Sequence, residues 1–171
     1  MREILFRAKA INRNPNMNYR TDYQNGDWVY GLVSKLYKYD DKYFAEMTNT
    51  DGVSGIDVDP ETICEYTGLT DKNGNKIFEG DILKIISTVK NEPIYKYGEE
   101  RESLPMIGGF TSREREDCAL VLPDYHTGGY RLKVVHKGVY KRIAKFASGH
   151  LSIYKAEIIG NKWDNPEHLE K

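Results

Sequence analysis

Between Leu69 and Ile86 the chain reads LTDKNGNKIFEGDILKII, and no other stretch narrows the fold so sharply. Asn73-Gly74 is a hairpin signal, because both residues tolerate the positive φ that a tight turn needs at its two central positions. The flank YTGL is a weak strand, whereas KIFEGDILKII is a strong one. Gly80 falls inside the strong run. A glycine within a strand pattern marks a bulge or sharp bend, and Asp81 beside it is suited to accept hydrogen bonds from amides that the interrupted ladder releases. The order Gly-Asp-apolar-apolar opens the first long strand of small curved barrels. The stretch therefore predicts a mainly β protein (β-rich α+β, with few short helices) whose core is barrel-like and SH3-like. Asn73, Gly74, Gly80 and Asp81 are assigned structural roles as turn and bulge residues.

The rest of the chain supports the β reading. REILFRAKAI (2–11) reads as a strand and 12–27 as a loop rich in Asn, Asp, Gly and Pro. WVYGLVSKLYKYDDKYFAEM (28–47) reads as two strands joined near Asp40-Asp41, and NTDGVSG (49–55) as a turn. Asp59-Pro60 is either a cap on a single helical turn or a plain change of direction. Residues 87–117 keep no period and are broken by Pro93, Pro105, Gly98 and Gly108-Gly109, so they read as a long insertion with a short helix near 111–117. Strands return at 118–125 and 129–138, joined through His126-Thr127-Gly128-Gly129. Residues 139–149 suit a strand or a short helix, 151–161 suits a strand, and the tail after Asn165-Pro166 suits one helical turn. Two lobes are expected, 1–66 and 67–171, the second holding the insertion; the alternative is one compact unit.

With 171 residues, 39% hydrophobic and 30% charged, the chain has the profile of a globular domain with a real core. No apolar run is long enough to span a membrane, and MREILFRAKAINRNP lacks the features of a signal peptide. Cys64 and Cys118 form no CxxC pair, so they read as reduced thiols of a cytoplasmic protein. Thirteen tyrosines favour strands over a helical bundle.

Catalytic templates are absent: no GxSxG, P-loop, GxGxxG or HExxH occurs, and the four histidines never take metal-ligand spacing. Asp57 with Asp59, and Glu79 with Asp81, would each share a face if extended, the arrangement that holds Mg²⁺ for phosphoryl chemistry. Asp59 and Asp81 already have turn and bulge roles. A nuclease pattern starting at Pro123-Asp124 needs an acid two residues before a lysine, and Arg131-Leu132-Lys133 stands there instead. The reading assigns no catalytic residue, metal or cofactor.

The net charge of −1 hides a gradient. Residues 1–66 hold 8 basic and 11 acidic side chains (net −3), residues 67–118 hold 8 and 10 (net −2), and residues 119–171 hold 9 and 5 (net +4). Residues 125–156 hold seven Lys or Arg and no Asp or Glu. Arg131, Lys133, Lys137, Lys141, Arg142 and Lys145 are interleaved with Tyr130, Tyr140, Phe146 and Tyr154, which suits phosphate contact and base stacking. The competing reading is a solvated face balanced by the acidic N-terminal half, in cis or across a subunit contact.

Three segments together resemble one family. REILFRA (2–8) with GDWVYG (26–31), TGLTDKNGNKIFEGDIL (67–83) and AEIIGNKWDNPEHL (156–169) are similar to the YopX proteins of phages and prophages. The resemblance implies a β-dominated fold with a barrel-like part, a phage or prophage origin and expression inside a bacterial host. It brings no established activity or catalytic residues. The expectation is an accessory or binding protein acting through protein contacts or self-association, with nucleic-acid binding by 130–154 as the alternative and no membrane partner.

Overall fold

A computed structural model describes residues 3–11, 23–90, 112–125, 129–135, 139–142 and 155–170. Its elements are β1 (Phe6–Lys9), β2 (Trp28–Tyr39), β3 (Lys42–Asn49), β4 (Ile56–Val58), β5 (Cys64–Thr70), β6 (Lys76–Phe78), β7 (Asp81–Lys90), β8 (Ser112–Asp124), β9 (Gly129–Val134), β10 (Val139–Arg142) and β11 (Glu157–Asn161). Single 3-10 turns occupy Pro60–Thr62 and Pro166–Leu169. No helix among the described residues is long and apolar enough to cross a membrane.

The strands form two antiparallel sheets, in the orders β4-β3-β2-β1-β5-β6 and β10-β9-β8-β7-β11, and neither closes into a barrel. The change of sheet falls at Glu79-Gly80, between β6 and β7. Gly80 has φ +78°, its N–H donates to the Val121 carbonyl at 3.0 Å, and its own carbonyl accepts from Lys162 N–H at 2.9 Å. One residue thus turns the chain from the first sheet and ties it to two segments of the second half.

The buried side chains form two main sets, the second of which also takes Ile77 from β6 of the first sheet. Ala8, Ala10, Val29, Ala45, Met47, Ile56 and Val58 fill the first core. Ile77, Leu83, Ile85, Ala119, Val121, Leu132, Val134 and Ala156 fill the second. Between them Leu5, Cys64, Tyr66 and Phe78 pack with Trp28 and Trp163.

Asp40 and Asp41 sit at φ 48° and 60°, the two left-handed positions of a tight turn joining β2 to β3. Asp59 caps the 3-10 turn, its carboxylate accepting from Glu61 N–H at 3.0 Å. The loop from β5 to β6 runs from Asp71 to Asn75, longer than a two-residue turn, and only Gly74 within it has positive φ, at 86°. Its organiser is the Asp71 carboxylate, which accepts from the backbone N–H groups of Asn73 (2.8 Å), Asn75 (2.9 Å) and Ile158 (3.3 Å).

The helix expected near 111–117 is not formed. Residues 112–117 begin β8 and pair with β7 from Lys90↔Ser112 to Ile85↔Asp117, because a long partner strand supplies ladder hydrogen bonds that a local helix must forgo. Of the predicted insertion, 87–90 and 112–117 are therefore paired strand, and 91–111 lies outside the described residues. Residues 139–142 are strand rather than helix, and 143–149 lies outside the described residues.

Candidate functional site

Two places concentrate polar chemistry or exposed apolar surface: the junction between the sheets and the far end of the β2–β3 hairpin.

At the junction, Asp81 is 1% exposed. One carboxylate oxygen pairs with Arg7 Nη2, and the other accepts from Phe78 N–H at 2.8 Å. The Arg7 guanidinium lies 4.6 Å from the Trp28 ring centre and 4.8 Å from that of Phe78, so a buried cation is flanked by two π faces. Burial pushes the Asp81 carboxyl upward, and Arg7 and the Phe78 N–H oppose it. Beside them the buried Cys64 thiol donates to the Thr62 carbonyl at 2.9 Å. Burial pushes that thiol up to about 12 in spite of Arg7, so it is no nucleophile at neutral pH.

The tail closes over this cluster. Trp163 meets Trp28 edge to face at 5.6 Å. Asn161 Oδ1 accepts from the N–H groups of Trp163 and Asp164, both at 3.0 Å, which folds the tail back. Asp164 then pairs with Lys9 and accepts from Trp28 Nε1 and Asn161 Nδ2, each at 2.9 Å. Burial works against its ionised form, but these donors outweigh it and hold the carboxyl down to about 2. The junction is a clasp in which Arg7 Nη2, Asp81, Lys9, Trp28 Nε1 and Asp164 answer one another, while Arg7 Nε is buried without a hydrogen-bond partner.

The other place arises from a mismatch of strand lengths. β1 pairs with β2 only from Trp28 to Gly31, and β4 pairs with β3 only from Ala45 to Met47. Among the described residues, 37–39 and 42–44 therefore project as a two-stranded ribbon, and 32–36 at its base is an edge that β1 leaves uncovered. Gly31 permits the close approach at its base, since a Cβ there would stand 1.9 Å from the Thr48 carbonyl oxygen. An irregularity between Val33 and Lys35 then shifts the register and sets Leu36 opposite the buried Ala45. Leu36 thereby extends the buried face of the sheet into solvent. Leu36 is 62% exposed, Tyr43 62%, Leu32 52% and Tyr39 73%.

Beneath the ribbon lies an open groove of about 780 Å³. Its apolar wall includes Ile11, Leu36, Tyr43, Pro60 and Ile63, and Asp41, Asp59 and Glu61 stand along it with Lys42. The side chains of Tyr37 and Phe44 stack across the ribbon at 5.5 Å, and Lys38 pairs with Asp41 at 2.7 Å.

The basic positions are only partly brought together. Arg131 and Lys133 lie on β9, and Lys141 and Arg142 on β10. In register, Arg142 stands opposite Arg131 and Tyr140 opposite Lys133, whereas Lys141 stands opposite Leu132. Lys133 is exposed; Arg131 is partly buried and already engaged within the protein. Lys137 and Lys145 lie outside the described residues. The carboxylate pairs separate in use: Asp57 is on β4, Asp59 caps a turn, and Asp81 faces Arg7 while Glu79 precedes the bend at Gly80. Among the described residues, no three His, Cys, Asp or Glu side chains gather to hold a metal ion.

The ribbon was not legible from sequence as a site, because alternation alone does not reveal where β1 and β4 stop. The signal was there in part: WVYGLVSKLYKY keeps apolar residues on both faces of its far half.

These features define a mainly β protein of two antiparallel sheets, locked by a buried clasp and carrying a projecting apolar ribbon. The chain belongs to the YopX family, whose model, YopX protein, matches residues 18–170. No curated protein matches it.

Proposed function

We propose that this chain is an accessory protein of phage or prophage origin that works in the bacterial cytoplasm by protein contact or self-association. The observation that carries the reading is the β2–β3 ribbon, where Leu36 and Tyr43, each 62% exposed, line an apolar groove, with Leu32 and Tyr39 more than half exposed elsewhere on the same hairpin. Contiguous exposed apolar surface with a charged border is the signature of a contact site, and a two-stranded ribbon gains order from whatever covers it. A photo-crosslinking residue at Tyr43 should form defined protein adducts, to a host protein or a second copy. The same residue at the exposed Asn73 should not. Equal labelling at both positions, or none at Tyr43, overturns the reading. The bend at Gly80 supports the finer description of β5 to β7 as an SH3-like curved unit.

A second reading rests on the β9–β10 register, which sets Arg131 against Arg142 and Tyr140 against Lys133. Such a surface would bind single-stranded or double-stranded nucleic acid, with a log-log salt slope of about one unit per phosphate contact. Binding that is absent at low salt removes this reading.

A further inference from the structure

We infer that the uncovered edge of β2 pairs antiparallel with the same edge of a second copy of this chain, joining the first sheets of two molecules into one. The inference rests on the reading of the β2–β3 hairpin as a contact surface and names its occupant. β1 covers β2 only from Trp28 to Gly31. Among the described residues, no strand pairs with that side of β2 at 32–39, so a row of backbone donors and acceptors faces outward. The outer strands β4 and β6 have three residues each, and β4 is already tied down. Asp59 N–H donates to the Lys9 carbonyl and Ile11 N–H to the Asp57 carbonyl, both at 2.9 Å.

Geometry sets the register. A two-fold axis through the sheet keeps opposed side chains on one face, so the pairing centres on a residue. Centred on Leu36 it spans 33–39, with Leu36 against its counterpart, Lys35 against Tyr37 and Val33 against Tyr39. The irregularity between Val33 and Lys35 then lies at its ends, and 35–37 is regular at its centre. Tyr39 stops opposite Val33, because the chain turns back at Asp40-Asp41, and so it stays clear of Gly31, where β1 begins. Centred on Lys35, the pairing would oppose two like charges.

Charge selects the occupant. Lys35 is answered by Glu46 at 3.3 Å and Lys38 by Asp41 at 2.7 Å within each hairpin, so the edge is locally neutral and suits a neutral partner. A second β2 meets that condition with its strand already formed, whereas a free peptide would lose conformational entropy on docking. Leu36, 62% exposed in one copy, is covered by its counterpart in the pair.

The test combines sedimentation with oxidative cross-linking. The parent should dimerise, with little dependence on salt, since the charges of the edge are answered within each copy. Leu36→Lys should self-associate at least about tenfold more weakly, because two ammonium groups then oppose each other at the axis. Its thermal melt should match the parent, as Leu36 is exposed. In a Cys118→Ser background, which leaves only the buried Cys64, Leu36→Cys should give a disulfide-linked dimer under mild oxidation. Directly opposed Cβ atoms of an antiparallel pair stand about 4.5–5.5 Å apart. Tyr43→Cys, on β3 and so one strand further from the axis, should not cross-link. A parent that sediments as a monomer, a Leu36→Lys chain that dimerises like the parent, or cross-linking at 43 as efficient as at 36 overturns the inference. Photo-crosslinking at Tyr43 separates the two levels. Adducts to a host protein without a dimer mean that the hairpin is a contact surface and the occupant is wrong; neither adduct nor dimer means that the reading of the hairpin fails as well.

Discussion

The Trp163 ring occupies the space beside Gly80 so fully that a Cβ on Gly80 would stand 2.4 Å from Trp163 Cζ3. Gly80 also has φ +78°, so an added side chain meets backbone strain and a clash together. Gly80→Ala should destabilise the fold by roughly 1–3 kcal/mol in denaturant melts. Combined with Trp163→Leu, the clash should be relieved and the φ cost should remain, so the two effects should be less than additive. Full additivity would place the ring elsewhere.

Asp81→Ala leaves the buried Arg7 guanidinium without its carboxylate. Breaking a buried pair from one side costs roughly 3–5 kcal/mol. The denaturation midpoint should fall with an unchanged slope. A loss below about 1 kcal/mol would mean that water reaches Arg7 and replaces the pair.

Asp164 links stability to acid. Its folded value, about 2, lies below the ordinary 3.8, so the folded state favours the ionised form. The stabilisation is complete above the unfolded value and is lost as pH falls through the folded one. Thermal melts of the parent between about pH 5 and pH 2 should show this loss, and Asp164→Asn should flatten that limb. An identical acid limb in the variant would assign the effect to other carboxylates.

Cys64 should resist alkylation at neutral pH until the chain unfolds, because burial holds its thiol up to about 12. Labelling should therefore track the unfolding transition. Fast labelling of Cys64 under native conditions would show that the clasp opens on its own.

Leu36→Ser/Tyr43→Ser removes apolar surface already exposed to water, so folding stability should change by no more than about 0.5 kcal/mol. A large loss in the melting curve would mean that these side chains serve the core.

Much of the β framework was legible because local chemistry and final structure agree. Asp40-Asp41 marks its own turn, and the alternation of Leu132 and Val134 with Arg131 and Lys133 marks β9. The start of β8 was not legible, since SREREDC is charged at successive positions and shows no period. It becomes a strand because β7 pairs with it. In the β5–β6 loop, Asn73-Gly74 gave the place of reversal, but Asp71 sets its length by collecting amides from 73, 75 and 158. The clasp was invisible for a different reason. Arg7 and Asp81 are 74 positions apart, and no local pattern announces a partner at that distance. Only the resemblance hinted at it: segments quoted from the start, middle and end of the chain supply Arg7, Trp28, Gly80, Asp81, Trp163 and Asp164, which meet in one cluster.

The clasp also imposes an order on biosynthesis. Lys9 leaves the ribosome 155 positions ahead of its partner Asp164, and Gly80 waits for the Lys162 amide. Until those residues emerge, Trp28 and the Arg7–Asp81 pair lack their cover on the tail side. The first sheet can begin pairing while synthesis continues, but its junction with the second is sealed only by the last strand and the turn behind it. A nascent chain stalled before residue 161 would therefore present a tryptophan and a buried ion pair to the quality-control machinery of its cell.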